Sequence, residues 1–342
     1  MQVWWDAGFE GLVTLFSRLS CERNSCLKII KGLENVKGAF RNAVVTIGNF
    51  DGVHVGHQKI FRKVVENAGK IKGTSITITF EPHPVRLIAP EKGVRMLTPF
   101  YEKARLIGRM GVDILLCIDF NTKFSGLNPD EFIREVLVDK LRAVHVIVGH
   151  NYRFGKGKKG TTDLLRRRGK KYGFKVSIVR NVRMFNSVVS SSRLRSLLLR
   201  GRVCEASSML GRSYHIEGDV VSGAGRGAKV LDTPTANLST PNELVPKDGV
   251  YVVKVKMRNK IYDGVANIGR NPTFGNNELS YETHLFGYDG NLLGKHLRIY
   301  FIDRLRDERE FKSAEELRMQ IAKDIETAKF ILTKHKGINI DL

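Results

Sequence analysis

Cysteine is scarce in this chain: four in 342 residues, at positions 21, 26, 117 and 204. Cys21 and Cys26 are five apart and there is no CxxC pair. Neither a zinc site nor a disulfide framework is indicated, so free thiols are the expected state. Cys117 lies in the apolar run Asp113-Ile-Leu-Leu-Cys-Ile118 and is expected in a core. Long apolar runs are also missing. None reaches the ~18 residues of a membrane span, which excludes a transmembrane helix. Carboxylates are in deficit, 35 against 57 Lys and Arg, and the formal charge is +22. That favours anionic partners without choosing among nucleic acid, nucleotide phosphate and acidic membrane. Residues 1–26 lack the basic start and small-residue cleavage site of a signal peptide; Asp6 and Glu10 come early. A short amphipathic or poorly ordered extension of unknown role is expected there.

Apolar content is ample, at 42% hydrophobic residues, which excludes general disorder. The length predicts two domains. From Ala43 onward strand-like and helix-like segments alternate. Ala43–Gly48, Ser75–Phe80, Asp113–Ile118, Ala143–Gly149 and Lys175–Val179 read as strands. Helices are expected from Gly56 to Ala68, from Thr98-Pro99 to Met110, and from Asn128-Pro129 onward. This rhythm implies a parallel sheet covered on both faces. A helical stretch from Ser192 to Leu210 follows, and the rhythm then changes. Tyr214–Val221, Val250–Met257, Ile261–Ala266, Ser280–Phe286 and Leu297–Ile302 read as strands joined by Gly, Asn and Asp turns. That is the pattern of an antiparallel barrel or sandwich. A helix from Ser313 to Leu332 ends the pattern, opened by the capping box Ser313-Ala-Glu-Glu316. The expected division is an extension at 1–26, an α/β domain at 27–200, a linker at 201–212, a β domain at 213–333 and a tail at 334–342.

The strand at 43–48 runs into Gly48-Asn-Phe-Asp-Gly-Val-His-Val-Gly-His57 and then a helix. Ligands of open parallel sheets bind at the carboxyl ends of strands. His54 and His57 are three apart at a helix start and can share one face, where unpaired N–H groups and the dipole favour an anion. Gly52 and Gly56 let a ligand approach the backbone. The arrangement suits a nucleotide phosphate that gains charge in a transition state. HxGH is the signature of adenylyl-transferring Rossmann-like proteins, a group that includes class I aminoacyl-tRNA synthetases. No KMSKS-type loop accompanies it here. Instead Ser190-Ser-Ser-Arg-Leu-Arg195 resembles the ISSTxxR element of nucleotidylyltransferases, with Val189 for Ile and Ser192 for Thr.

Taken together, Gly48–Gln58, Thr79-Phe-Glu-Pro-His-Pro84 and Gly149-His-Asn-Tyr-Arg-Phe-Gly155 resemble the FAD synthetase module of bacterial bifunctional riboflavin kinase/FAD synthetases (the RibF family). The resemblance implies a Rossmann-like nucleotidyltransferase domain that moves AMP from ATP onto FMN. It implies ATP binding by Gly48, Asn49, Phe50, Asp51, His54, Gly56, His57, Asn151, Ser190, Ser191 and Arg195. Among these His54, His57 and Arg195 would do the catalytic work on the phosphates. The flavin would meet Phe80, Pro82, His83 and Pro84.

Further on, Pro234-Thr-Ala-Asn237 in an expected loop, Asn267-Ile-Gly-Arg-Asn-Pro-Thr-Phe274 and Tyr281-Glu-Thr-His-Leu-Phe286 resemble the riboflavin kinase module of the same family. The resemblance implies a small antiparallel β-barrel with a C-terminal helix. Thr235 and Asn237 would bind Mg²⁺ together with ATP oxygens, and Gly223 and Gly225 would wrap the nucleotide. Glu282, expected to point into the barrel mouth, would be the catalytic base. One departure stands out: Asp232-Thr233 precedes Pro234 where the family reads Gly-Phe or Gly-Ile. It puts negative charge where phosphate is expected.

Three readings follow. The first is a cytoplasmic two-site flavin enzyme using ATP, riboflavin, FMN and Mg²⁺, with no membrane and no specific nucleic-acid partner. The second is a single-activity FMN adenylyltransferase with an impaired kinase domain. The third is a nucleic-acid-binding protein, drawn from the basic runs Lys156–Lys159 and Arg166–Lys171. Aromatic interleaving around those runs is thin, with Tyr152, Phe154, Tyr172 and Phe174 alone.

Overall fold

The computed structural model describes residues 27–222, 235–270, 279–334 and 340. The chain divides into two compact units. One runs to Arg95 and resumes over Phe100–Val189; the other takes Met96–Pro99 and everything from Ser190 onward. The expected boundary at 200–212 lies further along the chain.

In the first unit six strands form one sheet: β1 (Lys28–Lys31), β2 (Ala43–Ile47), β3 (Ser75–Glu81), β4 (Ile114–Asp119), β5 (Ala143–Gly149) and β6 (Lys175–Val179). Their order is β1-β4-β3-β2-β5-β6 and every pairing is parallel. All five residues of β2 are buried, so it reads as a continuous apolar run and does not alternate. The helices are α1 (Val55–Lys70), α2 (Pro84–Ile88), α3 (Phe100–Arg109), α4 (Thr122–Ser125), α5 (Pro129–Phe132) and α6 (Thr162–Tyr172). α5 runs on into a wider π-helical stretch, Ile133–Lys140. Ile60, Val64 and Ala68 of α1 pack on Val44, Ile147 and Val179. Val45, Ile47, Ile76 and Ile78 look the other way, toward Phe132, Ile133, Val136 and Leu137. A short hairpin, β7 (Arg183–Met184) with β8 (Ser187–Val188), completes this unit.

From β2 the chain proceeds to β3 and β4 on one side; from β5 it proceeds to β6 on the other. The direction of winding therefore reverses between the neighbours β2 and β5. A crevice opens at the carboxyl ends of two strands that wind apart, which is where such sheets take ligands.

The second unit begins with α7 (Ser191–Leu198) and α8 (Val203–Leu210). The single helical stretch expected there is broken at Gly201, whose φ is +73°. The segment expected as a linker holds α8, with Val203, Ala206, Met209 and Leu210 buried. Then come β9 (Tyr214–Val221), β10 (Thr235–Ser239), β11 (Gly249–Met257), β12 (Lys260–Arg270), β13 (Leu279–Leu285), β14 (His296–Arg306) and α9 (Ala314–Lys334). The strands close into a barrel ordered β10-β13-β12-β11-β14-β9. Closure pairs every strand edge. Thr235–Asn237, expected in a loop, lie in β10, and β1 is a strand without an expected counterpart. Ala328 and Leu332 of α9 cover Val252, Val265, Tyr300 and Ile302. That side is therefore the barrel's outer face. Ala236, Thr283, Ala266 and Tyr251 form a buried row in register on the opposite, inner face.

Candidate functional sites

The first site grows out of the exit of β2. Between Gly48 and His54 the chain makes a tight turn in which Phe50 and Val53 take positive φ, +51° and +43°. Such backbone costs about 1–3 kcal/mol per residue and persists where the surroundings impose it. Here both side chains are buried, at 3% and 0% exposure. The Asn49 carbonyl accepts a hydrogen bond from the Thr79 hydroxyl at 3.2 Å, which ties the turn to β3. Asp51 is buried beside them.

His54 is the N-cap of α1. Its Nδ1 accepts the His57 N–H at 3.3 Å. A neutral His54 therefore carries its proton on Nε2. The two imidazoles stack, with centroids 3.5 Å apart and planes 19° from parallel. Phe50 meets His57 edge-on at 5.2 Å. A Cβ at Gly56 would come within 3.1 Å of the His54 ring, so glycine leaves that ring its seat. His57 is half-buried, yet its Nδ1 is shut off from solvent and has no hydrogen-bond partner among the described residues. Burial, then His54, then Lys103 hold its pKa well below 6.5, so the ring is neutral at physiological pH. An unmet buried polar atom costs about 1–3 kcal/mol. No acidic residue stands in the first turn of α1, whose N-terminal dipole favours an anion. The unmet His57 nitrogen and the helix N-terminus suit an incoming anion with acceptor oxygens.

Gly48, Asn49, Phe50, Asp51, His54, Gly56 and His57 thus lie in one continuous turn. Asn151 is exposed just past β5, the strand on the far side of the crevice. Ser190, Ser191 and Arg195 fall in the second unit. There Ser190 Oγ caps α7 by accepting the Arg193 N–H at 3.3 Å, and Arg195 is half-buried one turn further on.

Phe80 ends β3, and His83 Nδ1 caps α2 by accepting the Val85 N–H at 3.2 Å; Pro82 and Pro84 flank that cap. Sequence reasoning missed what surrounds Phe80. Phe120 meets its ring at 5.6 Å and Phe124 at 5.7 Å. The contacts continue through Phe132 and Phe154 to Tyr152, across the ends of β3, β4 and β5. The signal was there as Phe120-Asn-Thr-Lys-Phe124, directly after a strand.

The second site is a row across three strands. Glu282 of β13 stands opposite Asn237 of β10 on one side and Asn267 of β12 on the other. Thr235 stands opposite His284 in the next row on the same face. Side chains opposite one another in such pairs lie ~4.5–5.5 Å apart at Cβ. Thr283 is fully buried and belongs to the inner row, so period-2 alternation turns Glu282 outward. This corrects the expectation that Glu282 points into the barrel mouth. Asn267, missed as a site residue, joins the row by register, and its Nδ2 donates to Glu308 Oε1 at 3.3 Å. Thr235 and Asn237 share the face and offer neutral oxygens, the donor type that Mg²⁺ accepts alongside phosphate. Gly223, Gly225, Asp232, Thr233 and Asn271–Phe274 lie outside the described residues.

Among the described residues no helix is long and apolar enough to cross a membrane. The fold and the two sites define a class: a parallel-sheet nucleotidyltransferase unit followed by an antiparallel barrel with its own carboxylate-centred site. Residues 36–193 match the family described as FAD synthetase, and residues 210–332 match riboflavin kinase. A Buchnera aphidicola protein named bifunctional riboflavin kinase/FMN adenylyltransferase is 36% identical over 91% of this chain and all of its own length. An Escherichia coli K12 protein of the same name is 36% identical over 90% of this chain and 99% of its own. A crystal structure from Streptococcus pneumoniae, described as a macrolide-efflux protein, superposes with TM-score 0.81 at 32% identity, covering 89% of this chain and 98% of that one. This chain belongs to the family of bifunctional riboflavin kinase/FMN adenylyltransferases. It carries both enzyme domains, with ATP, riboflavin and FMN as their substrates.

Proposed function

We propose that the two sites act in series on one flavin. At the barrel, Glu282 accepts the proton of the riboflavin 5′-hydroxyl as that oxygen attacks the γ-phosphorus of ATP, forming FMN and ADP. Thr235 and Asn237 would hold Mg²⁺, which when bound neutralises charge on the ATP phosphates. Asn237 and Asn267 flank Glu282 in register. Thr235, Asn237, Asn267 and Glu282 are each partly exposed on that outward face, whereas Thr283 of the inner row is fully buried.

At the parallel sheet, an FMN phosphate oxygen attacks the α-phosphorus of ATP, forming FAD and releasing pyrophosphate. No protein nucleophile is required; the work is positioning and charge stabilisation. His54 and His57 donate N–H groups to the phosphates, together with the first amides of α1. Asn49, Phe50 and Asn151 border the nucleotide. The aromatic set Phe80, Phe120, Phe124 and Tyr152 offers the isoalloxazine an apolar face beside Pro82, His83 and Pro84. Arg195 keeps its phosphate-clamping role on the resemblance of 190–195 alone.

The observation that carries this reading is the His54–His57 stack at the β2–β5 reversal, with the Nδ1 of His57 unmet. The test is to incubate the purified protein with riboflavin, ATP and Mg²⁺ and to resolve the flavins by chromatography. FMN should appear first and FAD after it. An end point at FMN, or no use of riboflavin, would reduce the reading to a single activity.

A further inference from the structure

Lys103 stands on α3 with a side chain only 6% exposed. A buried ammonium loses several kcal/mol of hydration, which a close and well-bonded counter-charge must offset. What surrounds this one falls short of that. Glu81 Oε2 is 3.9 Å from Nζ, an ion pair too long for a hydrogen bond. The Phe100 ring sits 5.3 Å away, a cation–π contact. No hydrogen-bond acceptor among the described residues reaches the three N–H donors. The charge of Lys103 is felt at His57, whose pKa it helps to lower, and at Cys117 of β4, whose thiol burial pushes up to about 12. Cys117 stands opposite Thr79, which bonds the Asn49 carbonyl. Lys103 therefore belongs to the neighbourhood of the β2 exit.

That neighbourhood holds two independent deficits, an ammonium short of acceptors and an imidazole nitrogen without a partner. A water molecule would meet hydrogen bonds but leave the charge. A metal cation would be repelled. A phosphate meets both needs of the ammonium, since it is all acceptor and all negative, and an ammonium is a compact point charge suited to it. We propose that Lys103 binds a phosphate of the adenylyl-transfer pair, either of ATP or of FMN, from the α3 side of the sheet. Glu81 then serves as the holding partner of the amine while the site is empty. This rests on the reading of the first unit as the adenylyl-transfer site.

The test compares Lys103→Gln with Lys103→Arg in the full chain. Equilibrium affinities for ATP and for FMN are measured separately by calorimetry, without turnover, beside KM and kcat for FAD formation. Lys103→Gln should weaken one of the two ligands by about tenfold to a hundredfold, the loss of a charge-assisted bond. The ligand that weakens identifies the phosphate. Lys103→Arg should recover most of the affinity, and riboflavin phosphorylation should be unchanged in both variants. Unchanged affinity for both ligands in Lys103→Gln overturns the proposal, and so does an equal loss in Gln and Arg variants. Should Lys103→Gln fail to fold, the wild type labelled with ¹⁵N-lysine supplies the answer. Its Lys103 ammonium signal should move on addition of ATP or FMN; a signal indifferent to both overturns the proposal. A wild type that binds ATP and FMN yet makes no FAD fails the functional reading instead, and that result is separate from the binding measurements.

Discussion

The two sites are built by opposite means. The first is made where secondary structure ends: a strand exit, a strained turn and a helix start place two stacked imidazoles at a helix N-terminus. The second is made inside secondary structure, where register alone sets Asn237, Glu282 and Asn267 side by side. The first site supplies donors and the second supplies acceptors. The chemistry follows that difference. Adenylyl transfer between two polyanions needs donors and positive potential, whereas phosphorylation of an alcohol needs an acceptor for its proton.

The sharpest way to break this comparison is to remove the centre of each site in turn. His57→Ala should slow FMN-to-FAD conversion by about 10²–10³-fold, the usual cost of losing a charge-stabilising donor. It should leave riboflavin-to-FMN conversion near wild type. Glu282→Ala should do the reverse, slowing FMN formation by about 10²–10⁴-fold. Both are read by chromatography of the flavins, supplying FMN directly for the second step. Loss of both activities in either variant would show that the sites are not separate.

A smaller effect is expected at Asn237. Asn237→Ala removes one neutral oxygen donor, worth about tenfold. The Mg²⁺ concentration for half-maximal kinase activity should rise by about that factor, with FAD formation from FMN unchanged. An unaltered Mg²⁺ dependence would remove Asn237 from the metal's neighbourhood.

How far each site was legible follows from how it is built. The turn at 48–57 was readable because its residues are adjacent in sequence, and the chain had only to place His54 and His57 on one helix turn. The row around Glu282 was half readable. Glu282 and Asn237 stood in quoted motifs, but their pairing, the inclusion of Asn267 and the outward aim all depend on barrel register. Thr235–Asn237 read as a loop because Pro234 and Asn237 are turn formers, and closure of the barrel overrides that local preference. β1 escaped notice because Lys28-Ile-Ile-Lys31 has too few apolar residues to show a period; it exists by pairing with β4. Lys103 is the clearest case. In Phe100-Tyr-Glu-Lys-Ala-Arg105 a charged pair reads as a solvated helix face, yet Glu102 and Lys103 are both buried. Only a contact made across the sheet reveals it.

The two units should also answer pH with opposite sign. In the first, His57 and His145 are held below 6.5, His57 by burial, His54 and Lys103, and His145 by burial and Lys175. The unfolded chain takes up protons that these folded rings refuse, so stability falls as pH drops below about 6.5. In the barrel, hydrogen bonding to Glu217, and less so to Asp219, raises the pKa of His296 against an opposing burial effect. That contribution is complete below about 6.5 and fades as pH rises through the higher folded value. Hydrogen exchange resolves the two. From pH 8 to pH 6, protection of amides in β2 and β5 should weaken and that in β9 and β14 should strengthen. His296→Gln should abolish the second trend. Because His296 is largely exposed, the effect should shrink in high salt.

The least effect is expected where the two units share a defect. Thr77 in the sheet and Thr283 in the barrel are each fully buried, and each hydroxyl lacks a hydrogen-bond partner among the described residues. A buried unpaired hydroxyl costs about 1–3 kcal/mol, and valine keeps nearly the same shape without it. Thr77→Val and Thr283→Val should each be neutral or stabilise by about 1 kcal/mol, read as a rise in the denaturation midpoint. A functional distinction sharpens the pair. Thr283 faces the barrel interior while its neighbour Glu282 faces out, so Thr283→Val should leave kinase kcat untouched. Thr77 stands opposite Thr46, whose hydroxyl is equally unpaired, one residue short of the β2 exit. If Thr77→Val costs stability while Thr283→Val does not, the threonine pair in the sheet is bridged by a buried water that the barrel lacks.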